Sequence, residues 1–198
     1  MKKFLLSAAT VLALTPVIAS AQEAVTTAAV STAALGGWGL FFAGAGVALA
    51  TGLACLGSII GVSLVGQAGA GLLTEKPELA GKVITLAVLP GSQGLYGMVI
   101  SLLFIFNFGP IVTQSVPLTF TQGLVLFAAF MPVAITCLTS APFQAKVCAA
   151  GMQMLAKDGK LAGRVITLAA LVETYALLGF LISFFMLNTF RAAVIGVA

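Results

Sequence analysis

A chain of 198 residues that is 61% hydrophobic and 7% charged, with no histidine, cannot cover a water-facing surface; a soluble domain carries about 25% charged residues. A mean hydropathy of +1.18 makes the formal charge of +4 no sign of nucleic-acid binding; what counts is where the few charges sit among long apolar stretches. Cys55, Cys137 and Cys148 all lie inside apolar runs and read as small packed hydrophobes, and without histidine or clustered cysteines they offer no metal site.

The chain opens with Lys2 and Lys3, then an apolar run from Phe4 to Ile18, then Ala19-Ser20-Ala21 and polar Gln22 and Glu23. That is the layout of a secretory signal peptide. The expected division is a signal peptide over 1–21, cleaved after Ala21, and a short exposed leader over 22–37; a retained fifth helix is the other reading. Cleavage leaves the mature N-terminus outside the membrane.

Four apolar segments follow, at 38–73, 83–107, 118–155 and 165–190. Each exceeds the roughly 20 residues a helix needs to cross a bilayer, and the two longest must tilt or project beyond the hydrocarbon. Lipid cannot satisfy free backbone groups, and the alternation of a barrel strand is absent, so helices are expected. The first loop carries Glu75, Lys76, Glu78 and Lys82, and the last carries Lys157, Asp158, Lys160 and Arg164. The connection from Asn107 to Gln122 has no charge, and Arg191 stands alone at the far end. The positive-inside rule places both charged loops in the cytoplasm and both mature termini outside, which agrees with a cleaved signal peptide and a multi-pass protein of the cell (inner) membrane.

The halves are copies. A shift of 82 residues lays Leu79-Ala80-Gly81-Lys82-Val83-Ile84-Thr85-Leu86-Ala87 on Leu161-Ala162-Gly163-Arg164-Val165-Ile166-Thr167-Leu168-Ala169. Without a gap, Leu95, Gly97, Ile100 and Ser101 then meet Leu177, Gly179, Ile182 and Ser183. The fold class is therefore an all-α membrane protein, with one hairpin over 38–107 and a second over 118–190. Each repeat holds an even number of helices, so the copies cross the membrane in the same sense, unlike the inverted repeats of many transporters. Direct hairpin repeats suit side-by-side stacking into a ring. Gly44, Gly46, Gly52, Gly57, Gly61 and Gly66 in the first segment, and Ala128, Ala129, Ala134, Ala141, Ala145 and Ala149 in the third, let backbones approach closely. They fit either ordinary packing in one bundle or a crowded inner ring.

Glu173 lies midway along the last segment, where a carboxylate costs about 3 kcal/mol or more and marks function by default. The plain alternative is a protonated side chain in an interhelical hydrogen bond. Lys146 is the nearest candidate counter-ion, but its chain is long enough to snorkel to the surface. The aligned position in the first copy is Gly91, within Leu89-Pro90-Gly91-Ser92-Gln93-Gly94-Leu95-Tyr96-Gly97. Pro90 and Gly91 loosen the helix there, so that backbone carbonyls can turn aside; a plain proline kink is the competing reading. Ser92, Gln93 and Tyr96 share one face, and Gln144 adds an amide from the third segment. One carboxylate, two amide oxygens, a hydroxyl and a loosened backbone form a hard-oxygen set suited to a small monovalent cation and too weakly charged for a divalent one.

These residues resemble the double-hairpin proteolipid of the rotor ring in V-type (A/V-type) ATPases, known as the K or c subunit, over essentially the whole mature chain. Its marks are Pro90 to Gly97, Val172-Glu173-Thr174-Tyr175-Ala176, and Gln144 with Lys146. The resemblance is particularly close to sodium-translocating members. The resemblance implies Leu89 (through its carbonyl), Ser92, Gln93, Gln144 and Glu173 as sodium ligands, with Tyr96 bonded to the carboxylate. Ser92 stands where the family usually has threonine, which keeps the hydroxyl and loses a methyl. It further implies a non-catalytic subunit without a cofactor, transporting Na+ (or H+) as identical subunits turn in a ring past a stator that supplies an arginine, with central-stalk subunits on the charged loops. ATP hydrolysis belongs to other subunits, and no phosphate-binding loop occurs in this chain. A proton-carrying ring needs fewer oxygen ligands than are present, and a stand-alone secondary transporter needs its own aqueous path and usually more helices.

Overall fold

A computed structural model describes residues 2–109 and 118–195, with side chains over 37–109 and 118–191. The reading of 1–21 as a signal peptide, and that of 22–37 as leader except for Gly37 itself, fall outside the described side chains. So does part of the uncharged connection. Helix α1 runs over Lys2–Glu75, α2 over Ala80–Val88, α3 over Ser92–Asn107, α4 over Phe120–Lys157 and α5 over Ala162–Ile195. Among the described residues, four stretches are long and apolar enough to cross a membrane: Gly37–Glu75, Pro77–Asn107, Phe120–Lys157 and Gly159–Arg191. They agree with the four expected segments, extended by a few residues at the charged turns. These four spans carry the fold as two hairpins in direct repeat.

Local chemistry sets the ends. Pro77 disfavours helical geometry at the residue before it, and Lys76 turns out to φ −134° and ψ 71°, so the first span stops there. Asp158, at φ −149° and ψ 115°, ends the third span and accepts the Lys160 amide on its carboxylate. Thr119 opens α4 with a capping box: its hydroxyl accepts the Gln122 amide, and the Gln122 side chain accepts the Thr119 amide at 3.0 Å. Lys76 Nζ donates to the Ala156 carbonyl, and Gly159 lies against Leu79 and Lys82. The two charged turns therefore meet at one end of the bundle, as an even-numbered repeat requires.

The first and third spans pack together most extensively. Their small residues make the contact possible: a Cβ on Gly123 would strike the Gly39 backbone, and one on Gly57 would meet the Cys137 carbonyl at 2.7 Å. The repeat is visible in three dimensions, because Gly69 accommodates Val83 as Gly151 accommodates Val165. One apolar cluster gathers Phe104, Phe108, Leu126 and Phe130 with Cys137. The other gathers Val65, Leu86, Leu155 and Val165 with Cys148 toward the charged end. The polar site lies between them.

Candidate functional site

The second span is two helices. Pro90 has no amide hydrogen and cannot continue the ladder; a 3₁₀ turn over Leu89–Gly91 joins α2 to α3, with the Ser92 amide closing onto the Leu89 carbonyl. Gly61 makes room for this break, since a Cβ there would come within 2.6 Å of the Pro90 ring. Ser58, on the first span, holds it in place. Its hydroxyl accepts the Gly94 amide at 2.8 Å and lies 3.4 Å from the Gly91 carbonyl. In the sequence Ser58 is one serine in a glycine-rich helix, a signal too common to single it out.

The break brings oxygens together. Ser92 Oγ stands 2.6 Å from Glu173 Oε1, 2.9 Å from the Leu89 carbonyl and 3.4 Å from Gln93 Oε1. A hydroxyl carries one hydrogen, so it can donate along only one of these three lines. The Tyr96 hydroxyl donates to the same carboxylate oxygen at 2.7 Å. Glu173 Oε2 is 3.3 Å from Gln144 Nε2, which also reaches the Ala169 carbonyl at 3.2 Å. Gln93 Nε2 donates to Gln144 Oε1 at 2.6 Å, and both amides are fully buried. Leu89, Ser92, Gln93, Tyr96, Gln144 and Glu173 are thus all gathered in one place, drawn from the second, third and fourth spans.

Two details differ from the expected arrangement. Gln144 turns its amide nitrogen, not its oxygen, toward Glu173, because its oxygen accepts Gln93 Nε2 and its nitrogen reaches the Ala169 carbonyl. Lys146 is no counter-ion: it is exposed, with its ammonium 4.8 Å from the Phe143 ring centroid. Among the described residues, the polar partners of Glu173 are neutral, namely Ser92, Tyr96 and Gln144. The Ala169 carbonyl, four residues before Glu173, is a further site atom that no motif announced.

Sequence comparison returns the same repeat. The family described as the C subunit of ATP synthase matches twice, over residues 45–104 and 127–186. The chain is 45% identical to the V-type sodium ATPase subunit K of Enterococcus hirae over 148 residues, covering 75% of this chain and 91% of that one. It is 33% identical to the A-type ATP synthase subunit K of Methanocaldococcus jannaschii, over 75% of this chain and 62% of that one. It is 32% identical to the c' proteolipid of the V-type proton ATPase of Candida glabrata, over 75% and 88% of the respective chains. With two hairpins in direct repeat, four membrane-length spans and two family matches in register, this chain belongs to the ATP synthase C-subunit family as a double-hairpin ring proteolipid of the V-type ATPases.

Proposed function

We propose that each chain carries one sodium ion at Glu173 as the ring turns, coupled to ATP hydrolysis or synthesis on other subunits. The observation that supports this reading is the convergence of the Leu89 carbonyl, the Ser92 hydroxyl, Gln93 Oε1 and Glu173 Oε1 around one hydroxyl hydrogen. Oxygens that close together present more lone pairs than one hydrogen can satisfy, and a small hard cation balances them. The bound ion neutralises Glu173, so the loaded site can face hydrocarbon without an uncompensated charge; at the stator, water and a cationic side chain of another subunit draw the ion out. The name of the Enterococcus hirae relative supports sodium.

In the same reading the chain is non-catalytic and uses no cofactor. The joined charged turns face the cytoplasm and the central stalk, both mature termini lie outside, and 1–21 is a removed signal peptide ahead of a leader over 22–37. A proton ring is the second reading. It is favoured by the Tyr96 and Ser92 hydroxyls, which hydrogen-bond the carboxyl directly, and by the name of the Candida glabrata relative.

The test is carbodiimide labelling of the purified complex, because the reagent takes protonated buried carboxyls. Labelling at Glu173 that sodium slows at fixed pH, and potassium does not, is the expected result. Labelling indifferent to sodium selects the proton ring. No labelling at Glu173 removes it as an exchangeable membrane carboxyl.

A further inference from the structure

The 82-residue shift lays the two charged turns on each other, and their charges are reversed. Glu75, Lys76 and Glu78 fall on Lys157, Asp158 and Lys160. The helix that follows each turn keeps its sign, with Lys82 on Arg164. Lys76 and Asp158 are engaged locally. The Lys76 ammonium donates to the Ala156 carbonyl, and the Asp158 carboxylate accepts the Lys160 amide at 2.8 Å. What remains is a pair of exposed carboxylates, Glu75 and Glu78, on one turn and a pair of exposed ammonium groups, Lys157 and Lys160, on the other. Among the described residues, no ion pair within the chain engages these four.

Inside the chain the turns meet with like charges. Lys82 reaches the second turn, where a Cβ on Gly159 would come within 3.1 Å of its Nζ. Gly159 lies between Lys157 and Lys160, so a cation stands against a basic turn, an unfavourable juxtaposition. The two hairpins tolerate it because one chain tethers them and Lys76 clamps Ala156. Asp158 occupies the position of Lys76 and, ionised, has no hydrogen to donate. That clamp therefore has no counterpart one hairpin further on.

Hairpins in direct repeat around a ring meet in the same way at each joint. The approach of Lys82 to Gly159 then recurs between copies as Arg164 against Pro77 of the next chain, since Pro77 and Gly159 are equivalent positions. Pro77 lies between Glu75 and Glu78. At this joint a guanidinium, which forks readily onto carboxylates, meets an acidic turn. Charge reversal thus leaves repulsion where the hairpins are tethered and places attraction where nothing covalent joins them.

We propose that Arg164 of one copy pairs with Glu75 and Glu78 of the next, with Lys160 beside it, so that a repeated ion pair closes the charged rim of the ring. The fitting partner of the acidic turn is the basic turn of a second copy, because the chain carries both halves at equivalent positions. A stalk protein of one sign would suit one turn and be repelled by the other. An exposed ion pair is weak alone, but the ring repeats it at every joint. It is screened over about 8 Å at physiological ionic strength, which makes salt the natural probe. The proposal rests on the ring assembly of the family and not on which ion is carried.

The experiment is thermal dissociation of intact rings, extracted with the complex in mild detergent, into single chains at low and at high salt. Arg164→Gln and Lys82→Gln alter equivalent positions and should behave oppositely. The first should lower the dissociation temperature at low salt, with the difference lost at high salt; the second should leave it unchanged or raise it. Two further chains separate pairing between copies from pairing within one. A chain with Glu75→Lys and Glu78→Lys is basic at both turns, and a chain with Lys157→Glu, Lys160→Glu and Arg164→Glu is acidic at both. Each alone should give rings that dissociate early, and the two expressed together should give alternating rings of parental stability. Retained stalk subunits are measured on the same samples. Equal effects of Arg164→Gln and Lys82→Gln, or no recovery in the mixed rings, would overturn the pairing. So would rings of parental stability that lose the stalk, since the carboxylates would then serve the stalk instead.

Discussion

Ser92 Oγ and Glu173 Oε1 lie 2.6 Å apart although 81 positions separate them in the chain and they belong to different hairpins. The polar cluster around Glu173 therefore exists only when the two hairpins are docked, and these two oxygens report on that seam. Glu173→Gln keeps the shape and removes the charge a cation needs. The expected outcome is complete loss of carbodiimide labelling and of ion transport in reconstituted vesicles, with the ring still assembled.

Ser92→Ala removes one oxygen and the hydrogen shared around it. A hydrogen bond to a charged group contributes ~1.5–3 kcal/mol, so the sodium concentration that protects Glu173 from labelling should rise roughly tenfold or more. Ser92→Thr retains the hydroxyl and should stay close to the parent. If Ser92→Ala protects at unchanged sodium, the hydroxyl is not a ligand.

Ser58 and Ser140 are the same position in the two repeats, yet only Ser58 has partners. Ser58→Ala strips the buried Gly94 amide of its acceptor, at a cost of about 1–3 kcal/mol, and frees the broken turn that carries Leu89 and Ser92. Weaker sodium protection, with every ligand still present, is the expected reading. Ser140→Ala deletes a hydroxyl without a partner and should leave sodium protection unchanged.

Gly57→Val tests the close approach of the first and third spans. Its side chain would press on the backbone at Cys137 and Leu138, where a Cβ alone already meets a carbonyl at 2.7 Å. Overpacking of this kind costs about 1–3 kcal/mol. The melting temperature of the detergent-solubilised complex should fall, whereas Gly52→Val, at an open position, should not disturb the fold of the single chain.

The removal of 1–21 has a direct readout. Intact-mass measurement of the chain extracted from membranes should give a protein that begins at Gln22. A mass that includes Met1 to Ala21 would establish the retained helix instead.

Much of this molecule was legible in one dimension. Lipid leaves a backbone only the helix or the closed barrel, and with strand alternation absent, apolar length located the spans. A gapless repeat of 82 residues fixed two hairpins of like orientation, and a carboxylate at the centre of a span marked the candidate residue before any contact was known. Tertiary structure decided what depends on which faces meet. The role of Ser58 needed the first span laid against the break at Pro90, and the amide orientation of Gln144 needed Gln93 and the Ala169 carbonyl beside it. Lys146 could not be placed by depth alone, because a long flexible chain reaches several partners; packing sent it to the Phe143 ring. The repeat itself treats the two hairpins as equals. Only the docked chain shows one face closed around Glu173 and another open at Tyr175, because hydrogen bonds and burial belong to pairs of surfaces, and a sequence records only one residue at a time.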